Sequence, residues 1–435
     1  MVTTIDPSIA HLYRRAGFGG TPSDLTVGTA AGYAATVDRL LDRGAPDDAD
    51  AVRLPDLIPL YFGPTPTTAQ TQQITTQRQS QARLLTLWWL DRMATSSSPW
   101  REKLTWFWHN HFATSNEKVD SPPMMYAQNQ YLRTNGHASF EALTQGMAKD
   151  PAMMVWLDSN TNRKGRPNEN FSRELMELFT LGIGNYSDAD VREAARSFTG
   201  WTVDRSAIST SLVQAQADYD TKTLLGQTGA FRADEVISLL VHQPFAAAHV
   251  TRNLWSRLVY PVLVDDPVVA ELAPAFAADL DATKLVRSIF KHPKFVSADA
   301  KTGLVKEPVE WVVGTLRALG LTATQMDSGN PSILTTLDLL GQRPFLPPSV
   351  GGWGQNTYWL STQTSLARQR FAQAIAARAN LSWLDPRAPT QSLDALATRL
   401  GIEKWTPNSL AALAATTTAK SLVAIALTTP EFVLN

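Results

Sequence analysis

Apolar residues recur at three-and-four spacing over 32–43, 80–95, 100–113, 122–135, 138–149, 168–181, 188–199, 233–242, 244–260, 281–291, 306–319 and 363–381. That period puts the apolar side chains of each stretch on one helical face, so a helix is predicted over each. Start signals precede several of them: Ser98-Pro99, Asp188 ahead of Val191, Asp234 and Ser365. Pro and Gly close many. Strand patterning is confined to 200–226, where Thr, Ser and Val partly alternate, and this predicts a small hairpin. The pattern therefore describes a mostly α protein: an N-terminal helical lobe over 1–200, a hairpin or connector over 201–227, and a C-terminal helical lobe over 228–435. Three stretches, 45–56, 63–80 and 384–392, read as loops, linkers or lids. A helix end, a Pro stop and a Phe one or two residues after the Pro recur at Pro244-Phe245, Pro293-Phe295 and Pro430-Phe432. The repeat is too short for a solenoid; it is a recurrent helix stop that leaves His242 and His292 at helix C-termini.

Composition narrows the function classes. With 39 Lys+Arg against 40 Asp+Glu, the net charge of −1 supplies no global field for nucleic acid or an anionic membrane. A chain of 435 residues that is 44% hydrophobic and 18% charged is able to bury a large core, which excludes general disorder. Having no Cys excludes disulfides, thiolate nucleophiles, Cys-ligated zinc and iron–sulfur clusters, and leaves oxygen and imidazole as metal ligands. The 13 Trp are an unusually rich supply of flat apolar surface. No run of about 18 apolar residues occurs to span a membrane. Residues 1–20 lack a secretion-signal core, so the chain as written reads as soluble and cytoplasmic; one trimmed of a leader for an extracytoplasmic location reads the same.

The densest polar chemistry lies in 150–181. Asp158, Asn160, Asn162 and Glu169 stand at relative positions 1, 3, 5 and 12 between two helical runs, the oxygen spacing of a calcium loop. A divalent cation is therefore the expected cofactor if there is one, with no organic cofactor evident. Against it, Gly165 falls at position 8 rather than 6, and Arg163, Lys164 and Arg166 bring positive charge. An ordinary loop held by Asx turns has the same spelling. On the following helix, for which Asn168 is the expected N-cap, Asn170, Arg173, Glu174 and Glu177 fall within roughly 100° of one another. Turned into a cleft, this face would offer Glu174 or Glu177 as general acid/base or ligand beside Arg173, with Asn170 binding substrate. Turned outward, it is a solvated stripe with an Arg173–Glu177 pair.

His109 and His111 lie in Trp106-Phe107-Trp108-His109-Asn110-His111-Phe112. On a helix they diverge by about 200°, so they cannot share one ion. His111 is the better catalytic candidate and His109 the secondary, substrate-binding one, with core histidines the competing outcome for both. Trp353, flanked by Gly351, Gly352 and Gly354, is either an aromatic plane offered to a ligand or a ring pinned in the core; Trp201 after Gly200 is a weaker case. Arg133 and the Lys306-Glu307-Pro308-Val309-Glu310 run add charge to a cleft or pair on a surface. No Gly-x-Ser-x-Gly elbow, Walker A loop, dinucleotide glycine fingerprint or His-Glu-x-x-His occurs.

Six stretches together carry a family resemblance: HLYRRAGFGGTPSDL at 11–25, LTWFWHNHFATS at 104–115, DPAMMVWLDSNTNRKGRPNENFSRELMELFTLGIG at 150–184, VREAARSFTGWTV at 191–203, LVKEPVEWVVGTLRALG at 304–320 and PPSVGGWGQNTYWLS at 347–361. They resemble the bacterial domain-of-unknown-function 1800 family across nearly the whole chain. The resemblance implies no activity and no catalytic residues. It implies a family often exported and often encoded beside a sulfatase- or phosphatase-like family, which would make such a protein a functional partner; residues 1–20 lack the leader that many members carry. The residues themselves point to an enzyme, a hydrolase or transferase, working on a polar, glycan-like substrate in a carboxylate/histidine cleft. The competing reading is a non-catalytic binding or assembly protein whose polar loop is structural.

Overall fold

A computed structural model describes residues 5–60, 62, 63, 65–385 and 389–434. Residues 386–388, within the stretch read as a loop at 384–392, lie outside the described residues. The protein is mostly helical, and each predicted helix is present within a few residues of its expected span, except that two run differently.

The first exception replaces an expected loop. The Thr68–Thr95 helix covers most of 63–80, and Thr67 opens it by a reciprocal cap with Gln70. Its first turns are largely exposed, so they carry Gln and Thr in place of an apolar stripe, and periodicity had nothing to register there. The second exception is the 168–181 segment. It is α-helical over Asn170–Glu174 and then widens into a π-helix over Leu175–Thr180. The N-cap is Glu169, not the expected Asn168, whose Oδ1 accepts from the Asn170 N–H at 3.0 Å in an Asx turn just ahead of the helix.

The hairpin region is two hairpins. β1 (Trp201–Asp204) pairs antiparallel with β2 (Ser209–Leu212), with Trp201 opposite Leu212. β3 (Lys222–Leu224) pairs with β4 (Gln227–Gly229) through Leu225-Gly226, both at positive φ, the geometry of a two-residue hairpin turn.

Proline sets many helix starts, as at Pro99–His111, Pro122–Asn135, Pro244–Leu258 and Pro308–Leu319, where its missing N–H costs nothing. One apolar core gathers Ile9, Trp108, Phe179, Trp255 and Phe290; a second gathers Phe18, Trp89, Trp311, Trp353 and Phe371. The Pro99–His111 helix serves both, with Trp108 in the first and Trp106 in the second. Of its residues only Arg101 and Asn110 are not fully buried, so its polar side chains must find partners inside the protein. Among the described residues no helix is long and apolar enough to cross a membrane.

Candidate functional site

The π-helix is the starting point. Widening the helix shifts its hydrogen bonds by one residue: Leu181 N–H and Gly182 N–H both donate to the Met176 carbonyl, at 2.9 and 3.0 Å. The Leu178 and Phe179 carbonyls at the end of the segment are taken by two imidazoles. His249 Nε2 lies 2.9 Å from Leu178 O, and His111 Nε2 lies 3.0 Å from Phe179 O. A carbonyl only accepts, so His111 carries its proton on Nε2 and keeps Nδ1 bare. The two rings are 6.3 Å apart. Burial pushes His111 down to about 3, with His249 adding to the effect, and burial lowers His249 as well. Both are neutral at pH 7.

The opposite wall is the glycine-rich loop. Gly352 has φ +75, and a Cβ there would sit 2.6 Å from Asn110 Oδ1, so only glycine fits this approach. Asn110 Oδ1 accepts from the Trp353 N–H at 2.8 Å, and Arg257 donates to the Trp353 carbonyl at 3.1 Å. These bonds lay the Trp353 ring over Trp106, centroids 5.2 Å apart and planes 23° apart. Trp353 is thus seated in the core, with an edge reaching the cleft beside it.

Between these walls lies a cleft of about 170 Å³. The Pro99–His111 helix contributes Phe107, Asn110 and His111, and the Pro244–Leu258 helix contributes His249, Arg252, Asn253 and Arg257. Leu178, Val350, Gly351, Trp353 and Gln355 complete the lining, which contains no carboxylate among the described residues. Below it runs a buried layer of ion pairs. Arg257 pairs with Glu307, which also accepts from Trp106 Nε1 at 3.1 Å and Gln342 Nε2 at 2.8 Å; Lys103 pairs with Glu310. Burial lowers Lys103, and brings Arg257 down to about 10. The Lys306–Glu310 run is therefore interior, in place of a surface. Arg252 differs from Arg257. It is half-buried, donates to Asn253 Oδ1 at 2.5 Å, and has no carboxylate partner among the described residues; its Nε is buried with no hydrogen-bond partner.

The other sequence-designated residues are dispersed. Glu174 is half-buried, and burial followed by the neighbouring Glu177 charge pushes its carboxyl up, against Arg173. Glu177 accepts from Tyr186 Oη at 2.9 Å, and burial together with that bond raises the phenol to about 12. Neither glutamate lines the cleft. Arg173 pairs with Glu169 at 3.2 Å and Asp188 at 3.0 Å, so the expected Arg173–Glu177 pair is replaced, and Asn170 is exposed. His109 is buried, its Nε2 accepting from the Phe345 N–H at 3.0 Å, and burial lowers it to about 3. Arg133 is buried on Glu102, at 2.9 and 2.8 Å.

The 158–169 loop is held by its own side chains. Asp158 pairs with Lys118 at 2.7 Å, and Asn160 sits in a short 3-10 turn. Asn162 is buried, accepting from the Asn168 N–H at 2.9 Å and donating to Ala195 O at 2.8 Å. Glu169 faces Arg173. Among the described residues no group of three or more His, Asp or Glu is placed to hold a metal ion. The loop also braces the hairpins: Gly200 N–H donates to Asn162 O at 2.9 Å, and Lys164 N–H to Gln216 O at 2.8 Å.

Sequence reasoning reached His111 and Trp353 and missed His249, Arg252, Asn253, Arg257 and Gln355. A signal existed. Residues 249, 252, 253 and 257 stand at i, i+3, i+4 and i+8 in a helix whose other residues are apolar apart from Thr251 and Ser256, the spacing of a single polar face.

The architecture and its cleft define a mostly helical protein with twin β-hairpins and an aromatic-walled, carboxylate-free polar cleft. The chain belongs to the family described as "Protein of unknown function (DUF1800)", whose model matches residues 11–434. No curated protein and no solved structure matches it.

Proposed function

We propose that the protein binds a small polar ligand carrying an anionic group in the cleft between His111, His249 and the 350–355 loop. The observation that carries this reading is Arg252, a lining cation with no carboxylate partner among the described residues and a buried Nε without a hydrogen bond. A buried or half-buried guanidinium gains most from an oxyanion that completes its bonds. The amides of Asn253 and Gln355 add donors and acceptors, and the neutral imidazoles add polarity without competing charge. This is the binding-protein alternative. Hydrolase or transferase chemistry through Glu174 or Glu177 finds less support, because the carboxylates and His111 do not share the cleft and a histidine held near 3 is a poor base at neutral pH. A calcium ion at 158–169 would have to open the ion pairs of Asp158 and Glu169.

The test is calorimetric titration with inorganic phosphate, malonate and glucose 6-phosphate, comparing the wild type with Arg252→Gln. Saturable binding of at least one anion, weakened tenfold or more in a variant of unchanged melting temperature, is the expected result. Absence of binding by all three, or equal affinity in both proteins, rejects the reading.

A further inference from the structure

A second cavity, of about 280 Å³, lies where the hairpins meet the start of the Ala233–Val241 helix. Two aromatic rings line it. Trp201 is half-buried and Tyr219 is 43% exposed. Gly200 brings them to one place: it has φ +89, and a Cβ there would lie 2.9 Å from the Ala217 nitrogen, so the 199–201 and 217–219 segments cross at a distance only glycine permits. Thr199 Oγ1 accepts from the Asp218 N–H at 2.7 Å and fixes the crossing.

A cationic group flanks each ring. Lys149 Nζ lies 5.4 Å from the Trp201 ring centre and pairs with Asp234 at 2.5 Å. The Arg232 guanidinium lies 5.5 Å from the Tyr219 ring centre, while the Arg232 backbone N–H donates to the Glu235 carboxylate at 3.1 Å. Asp218 is bound by Arg196 at 2.8 Å. Lys149, Asp234 and Asp218 are each engaged in an ion pair, unlike Arg252 in the cleft, and the Arg232 guanidinium faces the Tyr219 ring. A charged ligand at Lys149, Asp234 or Asp218 would have to displace an existing partner. A neutral polyol would not, since hydroxyls can both donate to carboxylates and accept from ammonium groups already oriented, while the C–H face of a sugar ring lies on an aromatic plane. The volume is at the small end of ligand pockets, suited to a ring or two rather than a long chain.

We propose that this cavity is a saccharide subsite that takes a neutral sugar ring against Trp201 and Tyr219. It is separate from the anion cleft and stands whether or not that cleft binds a ligand. It also gives the 158–169 loop a task, because that loop holds Gly200 and Gln216 and so sets the cavity wall.

Calorimetry and saturation-transfer NMR with glucose, galactose, mannose, N-acetylglucosamine, maltose and cellobiose test it. At least one sugar is expected to bind saturably, with affinity about tenfold lower in Tyr219→Ala and Trp201→Ala, retained in Trp201→Phe, and unchanged in Arg252→Gln. Tyr219 is exposed enough for its alanine variant to fold, and melting temperature checks both variants. The proposal is overturned if none of the six binds, if Tyr219→Ala binds as the wild type does, or if Arg252→Gln loses the sugar equally, which would place it in the cleft.

Discussion

Two arginine–carboxylate clusters, built from the same residue types, do different work in this protein. Around Arg173 the partners are Glu169 and Asp188, on an open helix face where the arginine side chain is 39% exposed. Around Glu102 the partners are Arg92, Arg133 and Trp89 Nε1, and the carboxylate is fully buried. Water screens the first cluster and leaves each member an alternative partner. The second is closed to water: Arg92 also reaches Asp50 and Arg133 also reaches Asn129, but Glu102 is the carboxylate the two arginines share. The Asn170–Glu177 stripe, the most chemical face in the sequence, is largely trimmed surface. Trp-Arg-Glu-Lys-Leu-Thr-Trp at 100–106, predicted simply as part of a helix, holds the buried one.

The sharpest way to break this contrast is Glu102→Ala. Leaving Arg92 and Arg133 buried without their shared carboxylate is expected to cost about 3–5 kcal/mol in urea unfolding. A loss below about 1 kcal/mol would mean water reaches the cluster and the contrast is false. Its pH dependence has a definite sign. Burial pushes the Glu102 carboxyl up, but the Arg133 and Arg92 guanidiniums overcome this and hold it at about 2, against an ordinary 4.5. The folded state therefore binds this proton less readily than the unfolded one. Its stabilisation is full above pH 4.5 and is lost as pH falls toward 2.

Asp150 sharpens the comparison from the other side, as a buried carboxylate with no cation among the described residues to offset burial. Burial raises it to about 6 from an ordinary 3.8, despite bonds from the Met153 N–H at 2.8 Å and Gln128 Nε2 at 2.7 Å. Here the contribution is full below pH 3.8 and lost as pH rises through 6. Asp150→Asn keeps an oxygen for the Met153 cap, so unfolding free energies at pH 4.5 and 7.5 should converge, with a gain at pH 7.5 on the order of 1 kcal/mol. A variant with a steeper pH dependence than wild type would refute the assignment. The smallest effect belongs to Arg173→Ala, expected to change stability by about 0.5 kcal/mol or less. A loss above about 1.5 kcal/mol would make the open stripe structural.

Much of the fold was legible from spacing because helices here bury one face and expose another. The exceptions share a cause. The Thr68–Thr95 helix begins in solvent, and its cap at Thr67 and Gln70 is a three-residue signal easily lost in a Thr- and Gln-rich run. The expected single hairpin became two because Leu225 and Gly226 adopt positive φ, which Leu rarely does. In the site, Gly352 and Trp353 were visible as a special loop. Whether the ring faced a ligand or the core depended on Trp106 and Asn110, more than 200 residues earlier. The polar face of 249–257 was overlooked although its spacing follows the same rule that picked out 170–177.

By itself the sequence determined that the chain is mostly helical, where proline starts many of its helices, that any metal would meet only oxygen and imidazole, and that the 106–112 helix carries aromatic and histidine side chains on several faces. Only the tertiary structure decided which polar groups share a cavity. It joined His111 to His249 across a π-helix and buried Glu307 and Glu310 beneath them. It also turned Glu174 and Glu177 away, and tied the 158–169 loop to the hairpins. The reason is that side-chain periodicity encodes the direction a residue leaves its own helix and not what waits there. Burial, pKa and the one-residue slip of a π-helix are set by neighbours distant in sequence.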